Sequence, residues 1–230
     1  MQEARHDKSK EETNLERLNL FTDGVFAIAI TLLVIEIKVP VLAVYTDHHL
    51  LEHLSEIRYK FLGLLISFVI IGYYWAVHHR IYGYVKKYTL ELFWYNAAFL
   101  FSIIILPFSS GLVGEFSSHT DMHVPYIVYC INMIFAGMLN SILWIYVSNP
   151  RRDLLTRKIS RSRIKLGFYR SMIFPSVFLL SMLVSFFLPV ISKLLLLLIP
   201  VLLRWGMKKL ERKADKEEGI VAEIEASKKL

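Results

Sequence analysis

The sequence predicts an all-α, multi-pass membrane protein with six transmembrane helices per chain and both termini cytoplasmic. Three observations predict it. Apolar residues make up 55% of the chain and mean hydropathy is +0.45, well above the usage of soluble domains. These residues gather into six runs, most of them near the roughly 20 residues that a helix needs to cross a hydrocarbon core. Lysine and arginine fall between the runs and crowd alternate loops, as the positive-inside bias requires. A net charge of +7 would by itself suit a nucleic-acid binder. Its confinement to the segments between apolar runs assigns it to cytoplasmic loops, so no nucleic-acid partner is expected. The lone Cys130 sits in an apolar run, which leaves no disulfide framework and no cysteine-based zinc site. The polar opening MQEARHDKSKEETNLER lacks the apolar core and small-residue cleavage site of a signal peptide.

Residues 1–12 read as a mixed-charge cytoplasmic tail. Thr13 and Glu16 have capping-box spacing, which predicts a first helix starting near Asn14. Its apolar part is 20–39, and Pro40 ends it because proline cannot continue a helix. Residues 41–57 form a loop carrying Asp47, Glu52, Glu56 and the histidines His48, His49 and His53. The second span is 59–79; it ends in Tyr and Trp, as interfacial segments do, and is followed by Arg80, Lys86 and Lys87. The third is 91–113, with Pro107 tolerated where neighbours satisfy the freed carbonyl. The loop 114–123 holds Glu115, His119, Asp121 and His123 but no Lys or Arg.

The fourth span is 124–147. A basic segment follows, with Arg151, Arg152, Arg157, Lys158, Arg161, Arg163, Lys165 and Arg170. The fifth span is 171–188, and a turn over 189–193 leads to a short sixth, 194–207, broken by Pro200. That last pair also fits one span plus a re-entrant piece. Residues 13–207 thus form the membrane domain, and 208–230 a charged cytoplasmic tail. With the N-terminus inside, only Lys38, Arg58, Lys60 and Lys193 fall on the outer side. No internal repeat supports an inverted-repeat transporter plan.

The stretch Arg17–Pro40, RLNLFTDGVFAIAITLLVIEIKVP, organises the rest. A carboxylate inside a spanning helix is costly unless it has a partner or meets water, so Asp23 marks this helix as more than an anchor. Asp23, His78 and Asn96 fall at similar depth near the cytoplasmic ends of the first three spans. The expectation is one hydrogen-bonded cluster, with Arg17 or an imidazole balancing Asp23. On a wheel of 100° per residue, Gly24, Ile28, Thr31 and Ile35 share a narrow face, and Asp23 lies well away from it beside Phe26 and Ile30.

Arg17, Phe21, Thr22 and Asp23 resemble the Arg-x-x-x-Phe-Ser-Asp signature that opens the first helix of the transmembrane protein 175 family, the potassium channels of lysosomes and their bacterial relatives. Threonine takes the serine position and keeps the hydroxyl. The WAVHH stretch at 75–79, Asn96 and Pro107–Phe108–Ser109 are similar as well. The resemblance covers the six-span plan and is most specific over 17–40. It implies a homotetramer in the bacterial inner membrane, the first helices lining a central pore. The constriction positions would be Ile28, Thr31 and Ile35. The signature residues Arg17, Phe21, Thr22 and Asp23, with Trp75, His78 and Asn96, would hold the pore helix from behind. The implied permeant species is potassium; no cofactor is expected, and the partners are other copies of the chain and membrane lipids.

The sequence contains no TVGYG stretch, so a filter of ringed carbonyls is not expected. The other readings are a proton- or solute-coupled transporter using Asp23 and His78, or a scaffold whose basic 151–170 segment meets anionic lipid. With no HExxH, paired-aspartate or nucleophile motif in the spans, an enzyme is not expected.

Overall fold

The computed structural model of the chain describes residues 2–116, 122–157 and 159–227, with side chains described for 10–116, 122–157 and 159–220. His119, Asp121 and Lys158 lie outside the described residues. Six helices are long and apolar enough to cross a membrane: Lys10–Glu36, Arg58–Tyr82, Leu90–Glu115, Val124–Val147, Arg161–Ser185 and Pro189–Ile220. The chain is a multi-pass membrane protein, helical throughout its spans. We label its α-helices α1 (Gln2–Leu32), α2 (Asp47–Glu56), α3 (Arg58–Tyr82), α4 (Leu90–Glu115), α5 (Val124–Val147), α6 (Arg161–Ser185), α7 (Pro189–Leu194), α8 (Leu198–Val201) and α9 (Lys208–Ser227).

The helices α4 and α5 form the centre, and α1, α3 and α6 pack around them. Phe26, Ala29 and Leu33 from the first span meet Ile71 and Tyr74 of α3, Phe99, Ile103 and Leu106 of α4, Met133 and Ala136 of α5, and Phe174 and Phe178 of α6 in one core. Lipid is as apolar as leucine, so close contact and interhelical hydrogen bonds must hold such a bundle. Close contact is visible at Gly167, where a Cβ would collide with the Trp144 indole, and at Gly137, where it would lie 2.5 Å from Pro175. Hydrogen bonds come from small hydroxyls. Ser67 pairs with Ser110 at 2.7 Å, Asn132 donates to Ser109, and Ser141 donates to Ser171 at 2.8 Å.

Several boundaries differ from the sequence expectation, each for a local reason. Helix α1 starts at Gln2 rather than near Asn14; the Thr13–Glu16 spacing falls inside a helix whose charged residues are good helix formers in water. At its other end, a 3₁₀ turn, Leu33–Glu36, tightens the backbone, and Ile37 is already extended. The residue before a proline disfavours the helical region, and here the break begins ahead of Val39–Pro40. Lys38 therefore leaves the helical wheel.

The 41–57 loop contains α2, capped by the Thr46 side chain accepting from the His49 N–H. Helix α6 begins at Arg161, ten residues earlier than the apolar run, because the Ser160 side chain accepts from the Arg163 N–H and caps it. Hydropathy detects only the part of a helix that lies in lipid. The sixth span is a helical run made irregular by a 3₁₀ turn at Leu195–Leu197 and a π turn at Leu202–Gly206 around Pro200.

The connecting segments on one side are tied together. Lys86 N–H donates to the Leu154 carbonyl and Thr156 N–H to that of Tyr84. The Lys86 ammonium donates to Asp153 at 2.7 Å and holds that carboxyl below its ordinary range. On the other side, Lys60 at the start of α3 pairs with Glu115 at the end of α4.

Candidate permeation surface

Helix α1 has two unlike sides. Leu18, Thr22, Phe26, Ala29 and Leu33 are buried in the chain's own bundle; their spacing of three and four residues makes one face. Opposite it, Gly24, Ile28, Thr31 and Ile35 are all exposed, Ile28 at 60% and Ile35 at 66%. The Thr31 hydroxyl donates to the Ile28 carbonyl at 2.8 Å. Its proton is therefore spent on the backbone, which leaves oxygen lone pairs for a cation. The 3₁₀ turn advances each residue by about 20° more than an α-helix does, which carries Ile35 round toward the line of Leu32.

Behind this surface the signature residues divide into two groups. The first is buried and fully connected. The His78 imidazole hydrogen-bonds through Nε2 to Asn96 Oδ1 at 2.7 Å, Asn96 Nδ2 donates to the Thr22 hydroxyl at 2.8 Å, and that hydroxyl donates to the Leu18 carbonyl at 2.8 Å. With Asn96 Oδ1 as acceptor, the network places a proton on His78 Nε2. Stacking on Tyr82 at 4.4 Å and on Phe99 at 5.3 Å encloses the imidazole. Three helices are thus joined by one chain of donors from α3 through α4 to α1.

The second group is exposed. Trp75 Nε1 donates to Asp23 Oδ1 at 2.8 Å, and the indole stacks on His79 at 5.4 Å. The expected cluster of Asp23, His78 and Asn96 is therefore corrected: Thr22, not Asp23, is the α1 member. The hydroxyl can sit in the core without a charge, whereas the carboxylate one residue on turns about 100° away. Arg17 does not balance Asp23; it is exposed and takes no part in the ion pairs of the described residues. Phe21 is 54% exposed, so within one chain it does not pack α1 from behind.

A profile of the family described as endosomal/lysosomal potassium channel TMEM175 matches residues 17–107, which include the two-sided helix and the polar chain behind it. A potassium channel of Chamaesiphon minutus is 31% identical over 179 residues, 78% of this chain and 88% of that protein. The chain belongs to the TMEM175 family. Its fold agrees with the crystal structure of a lysosomal potassium-selective channel TMEM175 homolog from the same organism, with a TM-score of 0.73 and 26% identity over 86% of this chain and 100% of that one. The chicken endosomal/lysosomal proton channel TMEM175 is 35% identical over 152 residues, but this chain spans only 30% of its length. TMEM175 proteins are channels, not enzymes.

What sequence reasoning missed in this TMEM175 chain is the serine and tyrosine network through the first halves of α3 and α5 and the last half of α4, where Ser67 contacts both Ser110 and the Tyr129 hydroxyl. Its only signal was the Ser109–Ser110 pair inside an apolar run.

Proposed function

We propose that the protein is a potassium-permeable cation channel whose pore is lined by α1 from four copies of the chain. One observation carries this reading: α1 buries one face in its own bundle and leaves Gly24, Ile28, Thr31 and Ile35 uncovered on the other. A single such stripe cannot enclose a path, so copies must meet around an axis. The family's potassium channels support the permeant ion. Ile28 and Ile35 would form an apolar constriction, and the Thr31 oxygen would be the polar atom between them. An ion passes such a narrowing only when it is wet and wide enough. With no TVGYG stretch, selectivity rests on this narrowing and is modest.

The termini lie on the cytoplasmic side of a bacterial inner membrane, because that orientation leaves the fewest basic residues outside. Arg17, Phe21, Thr22, Asp23, Trp75, His78 and Asn96 act as the scaffold of the pore helix. Thr22, Asn96 and His78 do so within one chain, while Phe21, Asp23 and Trp75 face outward toward the next copy. A proton- or solute-coupled transporter using Asp23 and His78 has less support, since His78 is enclosed on the side of α1 away from the exposed stripe. Purified protein in liposomes tests the channel reading. A potassium gradient should dissipate faster than a sodium gradient and without a coupled proton flux; strict stoichiometric coupling to protons would replace the channel with the transporter.

A further inference from the structure

A cleft of about 280 Å³ lies between the later half of α3, the last third of α5, the first turns of α6 and Leu203. Neither the α1 surface nor the His78–Asn96–Thr22 chain uses it. Its size is at the small end for ligand sites, which run roughly 300–1,000 Å³, and suits a headgroup rather than a whole lipid. Val77, Leu166 and Leu203 are among its walls, together with three arginines, Arg80, Arg163 and Arg170.

Two of these guanidinium groups are already held by α9. Arg163 binds Asp215 and Glu218, and Arg170 binds Glu211. Arg80 is exposed and takes no part in the ion pairs of the described residues. Deeper in the cleft is Asn140, 1% exposed, whose Oδ1 has no hydrogen-bond partner among the described residues. A buried amide oxygen left alone is rare and costly. Tyr84 and Trp144 also line the cleft; aromatic residues of this kind mark the level of lipid headgroups.

We propose that this cleft binds the headgroup of an anionic phospholipid of the phosphatidylglycerol class. The phosphate pairs with the exposed guanidinium of Arg80, a geometry that favours two parallel hydrogen bonds. A glycerol hydroxyl donates to the unpartnered Asn140 oxygen, and the acyl chains stay in the bilayer. Basic pockets between helices at the cytoplasmic membrane level hold anionic headgroups in this way. The choline headgroup supplies neither the net charge nor the hydroxyl donor.

The test reads binding, so it stands apart from whether the protein conducts. The full-length chain is taken from vesicles of equal phosphatidylglycerol and phosphatidylcholine, and retained lipid is counted by native mass spectrometry. The wild type should retain phosphatidylglycerol, and Arg80→Gln should retain about tenfold less, the loss of one charge-assisted contact. Asn140→Leu should also lose it, whereas Arg151→Gln, outside the cleft, should not. Unchanged melting of Arg80→Gln in pure phosphatidylcholine shows that the variant is folded. Equal retention by wild type and Arg80→Gln, or equal retention of the two lipids, overturns the proposal. So does an Arg80-dependent rise in melting temperature with inorganic phosphate alone that matches the phosphatidylglycerol effect, which makes this a site for free anions.

Discussion

At the scale of single residues, Thr22 and Asp23 show how one helical step separates two roles. Thr22 is buried and relays a hydrogen bond from Asn96 to the Leu18 carbonyl, while Asp23 is exposed and held by the Trp75 indole. Replacing Asn96 by Ala strands the Nε2 of His78 in the core and removes the bond that the Thr22 hydroxyl accepts, leaving it the one it donates to Leu18. Each lost bond costs about 1–2 kcal/mol, interhelical bonds in membranes being at the low end. Asn96→Ala should therefore lower the melting temperature in detergent clearly, and Asp23→Ala should lower it little. If Asp23 faces a neighbouring copy, its replacement should instead weaken the assembly, read as loss of the oligomer on dilution in native mass spectrometry with little change in ion preference. Well-formed oligomers with altered selectivity would make Asp23 part of the pathway. The sequence showed that polar groups met near the ends of three spans. It could not show which α1 side chain joined them, because Thr22 and Asp23 are adjacent and only packing decides which one turns inward.

At the scale of elements, the glycines of the bundle separate contact from composition. Gly167 of α6 lies against the Trp144 indole, where an added Cβ would overlap Cε2, while Gly72 of α3 has nothing within 4 Å. Gly167→Ala should destabilise by about 1–3 kcal/mol through overpacking. Gly72→Ala should be neutral or stabilising by up to about 1 kcal/mol through helix propensity. Thermal melting of the two variants side by side checks this, and equal effects would mean that α5 and α6 do not pack in close contact at Gly167.

Helix α9 adds a second test. Arg163 binds two of its carboxylates, and the Ser162 hydroxyl donates to Glu217 at 2.6 Å. Glu218→Ala should raise amide hydrogen exchange along α9 and leave α4 unchanged; unchanged exchange in α9 would show that other contacts suffice to dock it. The charge of the tail was legible in the sequence, but its partners were not. They lie some 50 residues away on a part of α6 that reads as a basic loop when hydropathy alone marks the spans.

At the scale of the whole molecule, the six-span plan was legible because each apolar run must satisfy its backbone internally and only a helix does so in lipid. The ends were not, since caps such as Ser160 and the 3₁₀ turn at Leu33–Glu36 act in the polar margins. Self-association was expected from the single stripe on the first helix, and the number four from the family resemblance. The structure adds a face of α1, with Gly24, Ile28, Thr31 and Ile35, that is exposed among the described residues of its own chain. Native mass spectrometry in mild detergent should give four copies of the 26.8 kDa chain, and a monomer at every concentration would count against the pore. The most direct test is single-channel recording of Ile28→Asn, Thr31→Ala and Ile30→Asn. With the exposed face of α1 lining the pore, Ile28→Asn wets the constriction, raises conductance and weakens discrimination between potassium and sodium. Thr31→Ala lowers the preference for potassium with little change in conductance, and Ile30→Asn, off the exposed stripe, leaves selectivity nearly as it was. Altered selectivity in Ile30→Asn with none in Ile28→Asn and Thr31→Ala would contradict the assignment of this face to the pore.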